Sequence, residues 1–234
     1  MGSSVFGRIW SAIKPPPAVC AAETSDPELK RRQRRLLKIT GAIIVLVGGG
    51  GAAYDYIASA QQRAEGQYQE GMRLMGPGSY REAIARFDRA LQISPRFAEA
   101  YLGRGSAHQI VGETDSALAD FNRALDLNPD LARAYTARGT IYRDRGDVKG
   151  AMAEFARSIQ AEPTVDAYYE RGQTYESLGE HQKAIDDYDL AIALLRDAPF
   201  VYRARSIARR NLGDIAGYKA DRDKANGIER PARH

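Results

Sequence analysis

The sequence predicts an all-α chain: a solenoid of about five helix pairs preceded by one transmembrane helix. Two observations carry this. Ile39 to Tyr54 is a run of 16 residues without a charge, directly behind the basic block Lys30–Lys38. After residue 60 several residue types recur together at a nearly constant interval, which marks an array of stacked units.

The repeat is read from independent residue types in one phase. Gly71, Gly105, Gly139 and Gly172 are spaced by 34, 34 and 33 residues, and Phe87, Phe121, Phe155 and Tyr188 by the same steps. Ala83, Ala117, Ala151 and Ala184 keep that phase, and Pro95, Pro129 and Pro163 lie 34 apart. Each unit holds two amphipathic helices. In the second, helix A is expected over about Ala98–Val111 and helix B over about Asp115–Leu127. Gly112 supplies the left-handed turn between them and Pro129 closes helix B. Gly105 and Ala117 are small where the helices cross, and Tyr101, Leu118, Phe121 and Leu125 fill the space between. One such pair cannot bury its apolar face alone, so neighbours stack.

This pattern resembles the tetratricopeptide repeat family, most plainly over residues 114–147, TDSALADFNRALDLNPDLARAYTARGTIYRDRGD. The resemblance implies a right-handed α-solenoid over residues 61–231, with repeats 64–97, 98–131, 132–164, 165–198 and a degenerate capping repeat 199–231. The first departs from the family at Gln67 and the fourth at Arg196. The fifth has Ser206 for the glycine, Tyr218 for the alanine and Arg222 for the aromatic. A polar residue at that last core position suits the final helix of a stack.

Ahead of the repeats, residues 1–26 read as a tail and residues 27–60 as a basic flank with a membrane helix spanning about 37–57. The uncharged run covers about 24 Å as a helix, and its flanks can lengthen it toward a hydrocarbon core of about 30 Å. Lys38 can snorkel to one interface, and Tyr54 and Tyr56 suit the other. Val5, Phe6, Ile9, Trp10 and Ile13 have helical spacing and could form a short amphipathic helix on the membrane, ended by Pro15-Pro16-Pro17. Six Lys/Arg lie in residues 30–38, against Arg63 and Arg73 in residues 55–75. The positive-inside rule then leaves the N-terminus in the cytoplasm. The repeats lie across the cell membrane, in the periplasm of a bacterium. A cleaved signal peptide ending at Ala58-Ser59-Ala60 and a buried soluble helix are the competing readings.

Charge excludes one class of function. Residues 1–60 carry eight basic and four acidic side chains, which accounts for the whole net charge of +4. The repeat body is neutral, without the basic footprint that nucleic-acid binding requires. One cysteine and three scattered histidines offer no disulfide framework and no evident metal site. Nucleophile, zinc-protease and phosphate-loop motifs are absent. Asp186, Asp187 and Asp189 are expected to be solvated, and His108, in the place of Tyr142 and Tyr175, to be a core histidine. Residues 203–234 hold nine basic and four acidic side chains, a surface for an acidic partner or a solvated cap.

In the family the A helices line the concave face. The resemblance places Tyr68, Met72, Leu102, Gln109, Arg133, Thr136, Thr140, Arg143, Tyr169, Gln173, Arg203 and Arg210 there, apolar at one end and cationic at the other. Such a groove suits a peptide or protein segment, with an acidic stretch at the cationic end. The family's clamp for a C-terminal carboxylate needs Lys and Asn at two groove positions, and no repeat here has that pair. The expectation is a non-catalytic scaffold or adaptor at the membrane that assists assembly or stability of an envelope complex. It has a protein partner and no cofactor, metal, small-molecule substrate or nucleic acid. A constitutive subunit of a stable membrane complex, and a regulator or enzyme of cell-wall metabolism, are the alternatives.

Overall fold

The computed structural model describes residues 50–229, with side chains from residue 59. All regular structure among them is helical. Ten helices follow in order: α1 (Gly50–Arg73), α2 (Tyr80–Ile93), α3 (Ala98–Ile110), α4 (Thr114–Leu127), α5 (Ala132–Asp144), α6 (Val148–Ala161), α7 (Val165–Ser177), α8 (His181–Leu194), α9 (Pro199–Asn211) and α10 (Ile215–Glu229). Odd-numbered members are A helices and even-numbered ones B helices. No helix among the described residues is long and apolar enough to cross a membrane. Most of the expected span, and all of the tail before it, lies outside the described residues. Residues 50–57 are the first turns of α1.

Glycine makes each turn within a pair. Gly78, Gly112, Gly146, Gly179 and Gly213 all have φ between 74° and 91°, where a side chain would clash with its own backbone. Two B helices and one A helix have true side-chain caps. Asp147 and Asp214 accept from Gly150 N and Gly217 N at 2.9 and 2.8 Å, and Thr164 accepts from Ala167 N at 3.2 Å.

The core is a row of rings, one in each of the first four pairs. Phe87, Phe121, Phe155 and Tyr188 are almost wholly buried. Each lies against a glycine of its A helix. A Cβ added to Gly71, Gly105 or Gly139 would come within 2.7 Å of the ring, and one on Gly172 within 2.6 Å of Tyr188. Gly105 is therefore small to admit a ring, rather than to let two backbones touch. Gly103 makes the same allowance for Phe87 from the next pair, at 2.8 Å. Ala83, Ala117, Ala151 and Ala184 are fully buried beside the rings.

The contacts between helices define the stack. From α4 onward each B helix packs on its own A helix, and α2, α4, α6 and α8 each pack on the A helix that follows. Consecutive A helices also touch (α3 on α5, α5 on α7, α7 on α9), whereas no B helix among the described residues packs on another. The A side is thus the inner, concave side of the array.

Two substitutions test the ring seats. Helix propensity alone would make glycine-to-alanine favourable at either position. Gly66→Ala, where the space is open, is expected to raise stability by about 0.5–1 kcal/mol. Gly105→Ala must displace the Phe121 ring and is expected to lower it by about 1–3 kcal/mol. Urea denaturation midpoints moving in opposite directions would bear this out, and parallel shifts would refute it.

Candidate functional site

Two clefts open on the concave side. The first, about 200 Å³, lies between α3, α5 and α7 and is lined by Leu102, Ser106, Arg133, Thr136, Ala137, Asp166 and Glu170. The second, about 400 Å³, lies between α5, α7 and α9. Arg143, Gln173, Glu176, Ser177, Ala204 and Ile207 line it, with one edge of Tyr188. Ile207 is 44% exposed and Phe200, two turns earlier on α9, 37%, so apolar surface stands open beside polar groups.

The structure brings five of the twelve expected groove residues into these clefts. Leu102, Arg133 and Thr136 share the first, and Arg143 and Gln173 the second. Thr136 is nearly buried, and its hydroxyl is held by Ser158 Oγ at 2.8 Å. Gln109 and Thr140 bind each other across α3 and α5, with Gln109 Nε2 donating at 3.0 Å and the threonine hydroxyl donating on to Ala137 O. Arg143 Nη1 donates to Glu170 Oε2 at 2.6 Å, and Gln173 Nε2 donates to the Tyr169 hydroxyl at 2.7 Å. The Tyr169 ring meets Phe200 edge-on at 5.0 Å. Tyr68 stands in an aromatic group with Phe87 and Phe97, at 5.9 and 5.0 Å, while Met72 is about one-third exposed. Arg203 and Arg210 both reach α10, where Arg203 pairs with Glu229 at 2.6 Å and Arg210 lies 5.8 Å from the centre of the Tyr218 ring.

The cationic end of the groove is thus largely engaged from within. Among the described residues, Arg143 and Arg203 have carboxylate partners and Arg210 an aromatic one. Arg133 is exposed, with no carboxylate of the described residues at ion-pair distance. Burial raises the pKa of Tyr68, helped by the Glu99 carboxylate and opposed by Arg133. Burial also raises that of Tyr169, with Glu170 adding to it.

The largest polar construction went unrecognised in sequence. Arg104, Arg138, Arg171 and Arg205 each reach from an A helix to a buried carboxylate on the paired B helix. Asp120, Glu154, Asp187 and Asp221 receive them, with Nε–O distances of 2.8 to 2.9 Å. Each guanidinium also lies over a tyrosine three residues earlier (Tyr101, Tyr135, Tyr168 and Tyr202) at 5.4 to 5.8 Å. Three of the four have a second partner on the preceding B helix: Asp88, Asn122 and Asp189. The signal was available as Tyr-x-x-Arg-Gly at residues 101–105, 135–139 and 168–172, and as Tyr-x-x-Arg-Ser at 202–206.

This ladder corrects two expectations. Asp187 is not solvated but 3% exposed and doubly bonded to Arg171, and Asp189 is paired with Arg205. Part of the basic C-terminal surface is likewise internal, because Arg205 and Arg209 both turn to Asp221. His108 is mostly buried, as expected, with Nδ1 at 2.7 Å from Glu113 Oε2 and Nε2 at 3.9 Å from Asp120 Oδ2. Among the described residues no three His, Cys, Asp or Glu side chains are grouped to hold a metal.

Comparison with known proteins gives a consistent picture. Models of the tetratricopeptide repeat match residues 98–131 and 165–197 and residues 132–164. A TPR repeat model matches residues 74–110. Together these cover more than half of the chain. Among solved structures the chain is similar to MamA, with 25% identity and a TM-score of 0.56 over 68% of this chain and 94% of that one. PilW, described as a widely conserved type IV pilus biogenesis factor, is 22% identical with a TM-score of 0.65 over 74% and 80%. PilF of Pseudomonas aeruginosa is 16% identical with a TM-score of 0.67 over 75% and 80%. No curated protein sequence matches significantly.

Tyr188 yields a pH prediction. Burial pushes its phenol well above the ordinary value near 10. The folded state therefore favours the neutral phenol. Its contribution is complete below the unfolded pKa of about 10 and is lost as pH rises beyond it. Tyr188→Phe is expected to move the alkaline unfolding midpoint, followed by circular dichroism, to higher pH. An unchanged midpoint would remove Tyr188 as the cause.

Proposed function

The chain belongs to the tetratricopeptide repeat family, and we propose that it is a non-catalytic scaffold that binds a peptide or protein segment along its concave face. The observation that carries this reading is the pair of clefts between successive A helices. In the second, exposed Ile207 stands beside fixed hydrogen-bonding groups, and in the first half-buried Leu102 does, the mixture that holds an extended or helical segment in register. An apolar side chain of the partner would lie on Ile207 and Phe200, and a carboxylate from an acidic stretch would meet Arg133. Arg143, Tyr169 and Gln173 hold one another in place and shape the cleft between. The repeat-family matches support a binding role.

The scaffold works at a membrane in this reading. The uncharged run behind a basic block supports one anchoring helix over about residues 37–57, with the N-terminus in the cytoplasm and the repeats outside the cell membrane, in the bacterial periplasm. Its task there is to assist assembly or stability of an envelope complex.

Binding is tested with detergent-solubilised membranes. Arg133→Glu and Ile207→Asp, one in each cleft, are expected to lower recovery of co-purifying proteins by about tenfold. Equal recovery with both variants would move recognition off the concave face. Topology is tested with spheroplasts, where added protease should digest the repeats. Full protection would place them in the cytoplasm.

A further inference from the structure

A third cleft lies apart from the other two and shares no residue with them. Arg63, Gly66 and Gln67 of α1 and Arg89, Gln92 and Ile93 of α2 line a space of about 450 Å³. Both charged residues are cationic and exposed, and no carboxylate contributes to the wall. Some surface guanidinium groups are paired, as at Arg73, Arg143, Arg145 and Arg203, and others, such as Arg123 and Arg133, stand alone. Here Arg63 and Arg89 have no ion-pair partner among the described residues. Arg86, beside them, donates to the Gln67 amide oxygen at 3.4 Å. Gly66 leaves its place in the wall open, and Ile93 is 38% exposed. The cleft thus combines two guanidinium groups, two amides and hydrocarbon from Ile93 and the arginine stems. That chemistry fits an amphiphile with an anionic head.

Its position selects which one. Helix α1 is continuous from Gly50 to Arg73, so Arg63 stands about 9 Å beyond residue 57, where the proposed span ends. The headgroup layer is about 5–8 Å deep on each side of the hydrocarbon, within reach of an arginine that snorkels back toward it.

We infer that this cleft binds the headgroup of an anionic phospholipid, with the phosphate held between Arg63 and Arg89. The inference rests on the membrane-anchored reading above. It makes the first helix pair a second attachment, which fixes the tilt of the repeats over the bilayer where an anchoring helix alone would leave them free to swing.

The test uses the full chain with Cys20→Ser and Gln92→Cys, labelled at residue 92 with an environment-sensitive dye. It is reconstituted in phosphatidylcholine vesicles with or without phosphatidylglycerol. Retention on neutral vesicles after alkaline extraction reads the anchor, and the dye reads the cleft. A blue shift that requires phosphatidylglycerol and weakens with salt is expected. Arg63→Glu/Arg89→Glu should abolish it, and Arg123→Glu/Lys149→Glu, the same charge change elsewhere, should preserve it. Absence of the shift in a retained chain, or its survival in the Arg63/Arg89 variant, overturns the inference. So does a shift raised by polyglutamate in neutral vesicles but not by phosphatidylglycerol, which would assign the cleft to an acidic protein segment. A chain lost from neutral vesicles refutes the anchor alone. Such a chain should still bind phosphatidylglycerol vesicles, with an affinity about fivefold lower for each arginine reversed. Its failure to bind them would overturn both readings.

Discussion

An aromatic ring lying on a bare stretch of backbone sets the geometry of the first four helix pairs. Phe87, Phe121, Phe155 and Tyr188 come so close to their A helices that even a methyl group at the facing glycine would overlap the ring. The seat fixes how near the two helices stand and where along each the crossing falls. Because the B helix also packs on the following A helix, one seat constrains the next, and small rotations accumulate into the curved array. The concave clefts are a result of that accumulation. They open between successive A helices at the spacing the rings impose, and Tyr188 shows the link directly, since its ring fills the core and its edge lines the second cleft.

The arginine ladder is a second fixing device, laid over the first. Each guanidinium bonds a nearly buried carboxylate and stacks on a tyrosine, a geometry that Lys could not reproduce because it lacks the planar fork. A ring tolerates sliding along an apolar groove. A forked ion pair, bidentate at Arg104, Arg171 and Arg205, does not, so the ladder sets the register of the A helix against the B helix. Buried pairs of this kind gain little net energy over apolar replacements, though breaking one is costly. Their value here is in specifying one arrangement of repeats that otherwise look alike.

The legibility of the chain divides along the same line. Ring, glycine, alanine and proline recur in a single phase, and each acts through a contact inside its own repeat, so the helices and their order could be read from the residues alone. Asp187 could not. In sequence it is one of several acids on a helix, and its burial follows only from Arg171, 16 residues away on another helix. The internal partners of the groove arginines were hidden for a related reason. Periodicity told which side Arg143 and Arg203 occupy, but not that Glu170 and Glu229 would already be holding them. Partners between repeats, or at the end of the stack, follow no period.

The two devices are given up separately, one at each end. In the last pair Arg222 replaces the ring and is exposed, and Ser206 stands where the others need glycine. With no ring to admit, the added side chain costs nothing, and its hydroxyl bonds Arg203 O at 2.7 Å. The Arg205–Asp221 pair is kept there. In the first pair the ring is kept on Gly71 but the ladder is gone. Gln67 and Glu70 take the places of tyrosine and arginine, Glu70 turns to Arg73, and Arg86 occupies the position of the buried acid. The acid that elsewhere consumes an arginine inside the stack is thereby missing from α2. An array ends where one of its internal couplings is dropped, and the groups released face outward. At the C-terminal end they make a charged cap. At the N-terminal end, next to the proposed anchor, Arg63 and Arg89 stand around a cleft that a membrane surface can fill.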